Sequence, residues 1–329
     1  MRSSGHLCTI ASCAIAVACL FPAAAQAQQY PMRPVRFIVP YPPGGSTDYT
    51  AREIGQRLSE LWGQQLVIDN RGGAGSLIGH AMAAAAAPDG YTLLLGTSTG
   101  LSIAPALGTR LSYDPQKDFA PIGLAVYAPY MLVVPAPISA TSVKELIAYA
   151  KKQPGKLNYG SSGVGTPNHL GGELMDLLAG TRTVHVAYKG GGPAMTDLIS
   201  GQLQYMFSAI PQTLPHVKSG RLRALAIGHP TRTRAAPDLP PVADTLPGFN
   251  NTTWYGLLAP ARTPRATVAK VNADLGKVLG QPDLVQRMLS QGIEAAGSTQ
   301  EGLGDMIRTE TERWRKVIKT AGIAVEAIR

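Results

Sequence analysis

Four stretches set glycines and small hydroxyls beside one another directly after an apolar run. They are PPGGSTD at 42–48, NRGGAGS at 70–76, GSSGVGTPNH at 160–169 and YKGGGPA at 188–194. Glycine permits positive φ and lets a ligand approach the backbone closely. The amides that open a following helix point at such a ligand, and the helix dipole favours negative charge there. Ser46, Thr47, Ser161, Ser162 and Thr166 add hydroxyls that can donate to a carboxylate without the desolvation cost of a buried ammonium. Each stretch also reads more plainly as a turn. Ser46 or Thr47 then serves as an N-cap, and Asp48 as a first-turn acid complementing the dipole.

Other chemistries lack their residues. GGAGSLIG nearly mimics a dinucleotide fingerprint, but Gly79 falls one position too late for G-x-G-x-x-G. No G-K-[ST] occurs, so there is no Walker loop. His80, His169, His185, His216 and His229 form no H-E-x-x-H or other compact zinc pair, so no metal site is expected. GSSGVG is not a G-x-S-x-G elbow. His169 near Ser161 and Ser162 suggests an acyl-transfer pair; it reads better as a residue that caps or packs at its helix start, or touches a ligand. The chain is expected not to be an enzyme and to need no cofactor.

The elements that must position these turns alternate. Strands are expected at 35–41, 65–69, 91–96, 131–134, 157–160, 184–188, 204–208 and 222–227. Helices are expected at 47–62, 77–87, 143–152, 169–178, 194–200 and 214–219. Alternation of this kind implies an α/β fold of mostly parallel sheets flanked by helices, and ligands then gather at the carboxyl ends of the strands. After Pro264 the pattern turns helical, over 266–279, 283–291 and 299–321. In the last helix Leu303, Ile307, Trp314 and Ile318 share one packing face. Two extended apolar runs bounded by prolines, 125–137 and 252–264, read as crossover strands between two lobes. The Pro-rich stretch 229–251 lacks periodicity and reads as a long surface loop.

Composition narrows the class further. The chain has 329 residues, a net charge of +9 and three cysteines. Residues 1–27 read as a secretory signal peptide: Arg2, an apolar run over 7–21, and a small-x-small site at Ala25–Gln26–Ala27. A lipoprotein reading fits less well: IASC at Ile10–Cys13 resembles a lipobox but has too little apolar chain before it, and AVAC before Cys19 lacks the large apolar first residue. Cys8, Cys13 and Cys19 all fall in the signal, so the mature chain is expected to have no disulfide and no thiolate metal site. Removing the signal lowers the charge from +9 to +8. The basic residues are scattered and do not alternate with aromatics, which argues against nucleic acid; a general positive field favours small anions.

The sequence resembles the periplasmic solute-binding proteins of tripartite tricarboxylate transporters, the TctC-like or Bug-type family. The stretches that carry the resemblance are YPMRPVRFIVPYPPGGSTDYTAR, NRGGAGSLIG, DGYTLLLGTST, LNYGSSGVGTPNHLGGELM, VAYKGGGPAMTDLISGQL and WYGLLAPARTP. They run through essentially the whole mature chain in family order. The resemblance implies a two-lobed periplasmic-binding-protein fold of type II-like form, with residues 28–127 and 253–329 as one lobe and 128–252 as the other. It implies a monomer that closes on a small organic carboxylate (a dicarboxylate, tricarboxylate, amino acid or aromatic acid) and delivers it to a two-component membrane permease. A stand-alone carboxylate sensor or scavenger of the same fold is the alternative. Carried over by motif, the ligand-binding residues are Pro43, Gly44, Gly45, Ser46 and Asp48, then Thr97 and Ser98 of the GTST turn. The second lobe contributes Ser161, Ser162, Gly165, Thr166, His169, Lys189, Gly190 and Ser208. Tyr41, Tyr49 and Tyr188 lie in or beside these loops, as packing or as faces for the ligand body. Two departures affect only the local loop path: Arg262 stands where the family commonly has glycine, and 236–245 differ from the usual LPDVPT region.

Overall fold

A computed structural model describes residues 30–323. The signal peptide, the lipobox alternatives and the three cysteines lie outside the described residues. The chain forms one mixed sheet whose strands, in spatial order, are β2 (Leu66–Asn70), β1 (Val35–Val39), β3 (Thr92–Thr97), β9 (Thr252–Pro260), β4 (Phe119–Pro135), β7 (Tyr205–Ala209), β5 (Asn158–Ser161) and β6 (Val184–Ala187), with β8 (Leu222–Ile227) and β10 (Glu294–Ala295) also paired to β4.

In the first half, β1 (Val35–Val39) leads into α1 (Ser46–Trp62), β2 (Leu66–Asn70), α2 (Leu77–Ala84) and β3 (Thr92–Thr97). β1 pairs in parallel with both β2 and β3. Its apolar run is continuous because both faces are buried. Val35, Phe37 and Val39 join one core, while Ile38 joins the core on the opposite face. A π-turn at Thr99–Ile103 and the short α3 (Ala104–Ala106) follow β3.

β4 (Phe119–Pro135) then carries the chain across. Its first part pairs antiparallel with β9 (Thr252–Pro260), from Phe119 opposite Pro260 to Pro129 opposite Thr252. From Tyr130 onward it pairs instead with β7 (Tyr205–Ala209) and β8 (Leu222–Ile227). The second half contains α4 (Val143–Lys152), β5 (Asn158–Ser161), α5 (Pro167–Ala179), β6 (Val184–Ala187), α6 (Gly191–Ile199) and α7 (Ile210–Lys218). The alternation repeats here: Leu132 and Val134 enter one core, Met131 and Val133 the other. Parallel pairing is thus confined to the outer strands, and the centre of the sheet is antiparallel around β4 and β9.

The return crossing is stitched to the outgoing one. Gly228 N–H donates to Tyr130 O at 2.7 Å, and Asn251 N–H donates to Gly228 O at 2.8 Å. The stretch between them, expected to be a surface loop, is partly core: Val242, Leu246 and Phe249 are buried against the second half. Its apolar residues are too few and too aperiodic to announce themselves. After β9 the chain adds α8 (Arg265–Leu279), α9 (Pro282–Ser290), β10 (Glu294–Ala295) and α10 (Gln300–Ala321). The single stripe expected on α10 divides between two cores. Leu303 and Ile307 pack with the first half, whereas Trp314, Val317 and Ile318 pack with the second.

Candidate functional site

The carboxyl ends of β1, β3 and β5 open onto one cavity of about 490 Å³ between the two halves of the sheet. Its walls include Pro43, Gly45, Ser46 and Thr47 from the β1–α1 turn, Gly75, Thr97 and Thr99 from the neighbouring turns, and Ser162, Thr166 and Pro167 from the second half. Tyr41, Pro42, Tyr130, Thr253 and Tyr255 complete it.

The β1–α1 turn is held from behind. Asp48 is buried, and its Oδ2 accepts from Gly44 N–H and Arg52 Nε, both at 3.0 Å. Its Oδ1 accepts from Asn70 Nδ2 at 3.0 Å, and the same amide group donates to Tyr41 O at 3.0 Å. Burial pushes the Asp48 carboxyl up, but the donors from Arg52, Gly44 and Asn70 outweigh it and leave it below the ordinary value. Asp48 therefore faces the loop and not the cavity. The left-handed residue is Gly44, at φ 93°, while Gly45 has φ −88°, open to any residue. A Cβ at Gly45 would meet no protein atom within 4 Å; Gly45 is itself part of the cavity wall.

Helix α1 starts here with no side-chain cap, and so does α5 on the other side. The first amides of a helix have no intrahelical acceptor, so both halves offer free N–H groups at the cleft. Ser46 Oγ lies 2.8 Å from the Tyr255 hydroxyl. Thr253 Oγ1 is buried with no hydrogen-bond partner among the described residues. Burial raises the pKa values of the Tyr41, Tyr130 and Tyr255 phenols, so they stay protonated donors at neutral pH. None of the wall residues is a Lys, Arg, His, Asp or Glu. This wall can hold an anion by dipoles and hydroxyls; it offers no general acid–base pair.

Among the residues expected from the sequence, Pro43, Gly45, Ser46, Thr97, Ser162 and Thr166 line the cavity. Gly44 and Asp48 lie behind its wall. Ser98 and Ser208 are buried next to the strand ends, their hydroxyls without partners among the described residues. Ser161 is fully buried and lies 2.6 Å from His185 Nε2. It does not pair with His169, so the acyl-transfer geometry considered for that histidine is not formed. His169 accepts the Gly165 amide at Nδ1, 3.0 Å away. Lys189 is exposed and Gly190 precedes α6, both away from the cavity wall. Tyr188 donates to Asp197 at 2.7 Å and Tyr49 to Arg287 O at 3.2 Å, so both are engaged in packing. The sequence reading missed Thr99, Tyr130, Thr253 and Tyr255. Thr253 and Tyr255 stand two apart on one strand and so share a face, a pattern present in TTWYG but submerged in the reading of that run as a crossover.

Solved structures of the same shape cover nearly the whole chain. An R. palustris protein solved with adipate is 34% identical, with a TM-score of 0.80 over 90% of this chain and 99% of that one. MatC from Rhodopseudomonas palustris, solved with bound malate, is 32% identical, with a TM-score of 0.74 over 88% and 100%. Fold and cleft together define a two-lobed α/β protein of the periplasmic-binding-protein class. The sequence further matches the tripartite tricarboxylate transporter family receptor over residues 50–323. A UPF0065 protein from the tcbD-tcbE intergenic region of Pseudomonas sp. (strain P51) is 38% identical over 97% of this chain and 95% of its own length. The chain belongs to the tripartite tricarboxylate transporter receptor family.

Proposed function

We propose that the protein is a periplasmic receptor that captures a small organic carboxylate in the interlobe cleft and hands it to a two-component membrane permease of the tripartite tricarboxylate type. It acts as a monomer, without catalysis. The observation that carries this reading is a cavity walled by hydroxyls and two uncapped helix starts, one from each half, with no charged side chain in the wall. Adipate and malate in two structural neighbours support the ligand class. We assign residues 28–127 and 253–329 to one lobe and 128–252 to the other, with the ligand touching both. Pro43, Gly45, Ser46, Thr97, Ser162 and Thr166 are the contact residues we favour; Gly44, Asp48, Ser161 and Gly165 shape the loops. Export follows from the signal-like residues 1–27.

A thermal-shift screen of the mature protein tests this with adipate, malate, citrate, glutamate and benzoate. Ligand at a hundred times its dissociation constant stabilises the fold by about 2.7 kcal/mol, a shift of several degrees. Loss of uptake of the same acid in cells lacking the gene tests delivery. A folded protein that none of these acids stabilises rejects the reading.

A further inference from the structure

Each half of the cleft has a buried histidine on the helix after a cleft loop, turned against backbone and not toward the cavity. His80 on α2 is fully buried. Its Nε2 lies 3.2 Å from the Thr97 amide. An amide can only donate, so Nε2 accepts; Nδ1 carries the proton and donates to Ser76 O at 2.9 Å. Thr97 lines the cavity, and Ser76 directly follows Gly75, which also lines it. Residues 73–76 all have positive φ: 129°, 46°, 63° and 88°. Two of them, Ala74 and Ser76, are L residues that resist this region, so the segment persists only where its surroundings hold it. The ring is fixed on its faces too. Tyr113 stacks on it at 5.8 Å, Phe119 meets it edge-on at 6.5 Å, and a Cβ at Gly100 would fall 2.5 Å from it. The Tyr113 phenol is the one titratable neighbour in these contacts; it donates to Gly100 O at 2.7 Å, and burial raises its pKa.

His169 on α5 repeats the arrangement. Its Nδ1 accepts the Gly165 amide, so its proton sits on Nε2, which faces Glu173 Oε1 at 3.6 Å. Tyr159 also donates to Glu173, at 2.5 Å. The imidazole stacks on His185 at 3.9 Å. Gly165, at φ 77°, leads directly into the cavity residue Thr166.

We propose that His80 and His169 are positioning residues of the cleft: each neutral ring accepts one backbone amide of a cleft loop and so fixes the wall that meets the ligand. A doubly protonated His80 ring cannot accept, so acid loosens the wall at Thr97 and weakens binding. The proposal rests on the carboxylate reading of the cleft. Burial brings the His80 pKa down to about 4, which keeps this clamp intact at neutral pH.

Three measurements on the mature protein test it. Long-range ¹H–¹⁵N spectra at pH 7 should show His80 with its proton on Nδ1 and His169 with its proton on Nε2; the opposite tautomer at either site overturns the clamp there, whether or not any variant folds. In His80→Leu and His169→Leu, exchange of the Thr97 and Gly165 amides respectively should quicken about tenfold. Calorimetric titration with adipate and with malate should show about tenfold weaker binding in both variants, with part recovered in His80→Gln, whose carboxamide can both accept and donate. Folded leucine variants with parental exchange, or with parental affinity, overturn the positioning role alone. A parent that binds no acid in the screen overturns the carboxylate reading and, with it, the role assigned here.

Discussion

Two adjacent glycines in the first cleft loop separate backbone strain from ligand contact. Gly44 sits at φ 93° and Gly45 at φ −88°, and neither would bring a Cβ within 4 Å of a protein atom. Gly44→Ala should therefore cost about 1–2 kcal/mol of stability through the left-handed backbone, or shift the loop. Gly45→Ala should leave stability within about 0.5 kcal/mol, yet place a methyl in the cavity and weaken the ligand. Urea unfolding and calorimetric titration of the two variants check this; equal effects of both on stability would mean that the loop conformation is wrongly assigned. Asp48 belongs to the same argument. Its oxygens are used by Gly44, Arg52 and Asn70, so Asp48→Asn replaces one acceptor oxygen by an amide donor that opposes either Asn70 or the Gly44 and Arg52 pair. It should destabilise by about 1–3 kcal/mol and weaken adipate and glutamate alike. Selective loss of the amino acid would show instead that Asp48 pairs with a ligand ammonium.

At the scale of elements, α10 joins the two cores, and the join runs through one buried acid. Glu310 accepts from the indole N–H of Trp254, from Trp314 Nε1 at 3.3 Å and from Arg313 at 3.2 Å. Arg313 also donates to Asn250 O at 2.7 Å, beside the return crossing. Burial raises the Glu310 pKa, and Arg313 with the two indoles only partly offsets this. Removing the acid leaves two indoles and a guanidinium without their partner. Glu310→Leu should cost about 3 kcal/mol and Glu310→Gln clearly less, by urea unfolding; equal values would deny the carboxylate its part. The helix itself was legible from its stripe, but not its double allegiance, because a periodic face says that it packs and not against what. Elsewhere legibility followed locality. VRFIVPYPPGGSTD encodes strand, turn and helix within one window, and the structure has β1 and α1 there. The π-turn at Thr99–Ile103 and the first part of β4, with Pro121 inside it, break the usual residue preferences and were not foreseen. Tyr130 and Tyr255 meet in one cavity from strands far apart in sequence. That meeting is set by the sheet order and by no local signal.

At the scale of the whole molecule, His80 and the half-buried His185 are acid-sensitive points, and the halves are joined mechanically at the crossings as well as through α10. Burial, aided at His185 by the neighbouring His169, lowers the pKa values of His80 and His185 to about 4. Their unfolded value is 6.5, so the unfolded chain binds these protons first. The stability they supply is complete above pH 6.5 and is lost as pH falls toward 4, at up to about 1.4 kcal/mol per pH unit for the fully buried His80. Urea unfolding across that range should show the decline, and His80→Gln should flatten it; a parent with constant stability from pH 7 to 4.5 would contradict the burial of a neutral ring. The mechanical join lies where β4 passes from one half of the sheet to the other at Pro129–Tyr130, beside the Gly228–Asn251 bond. A ligand that touches both halves stabilises the closed arrangement only through contacts made there and lost on opening. Solution scattering should therefore show compaction with saturating adipate or whichever acid the screen selects. Gly228 gives a point of control. A Cβ there would meet Asn251 O at 3.0 Å and Tyr130 O at 3.3 Å, both backbone atoms of the two crossings. Gly228→Val should force the crossings apart, destabilise by about 1–3 kcal/mol as overpacking does, and reduce both compaction and affinity. If the parent keeps the same dimensions with and without ligand, the halves do not close on it. If Gly228→Val compacts like the parent, the crossings are not where closure turns.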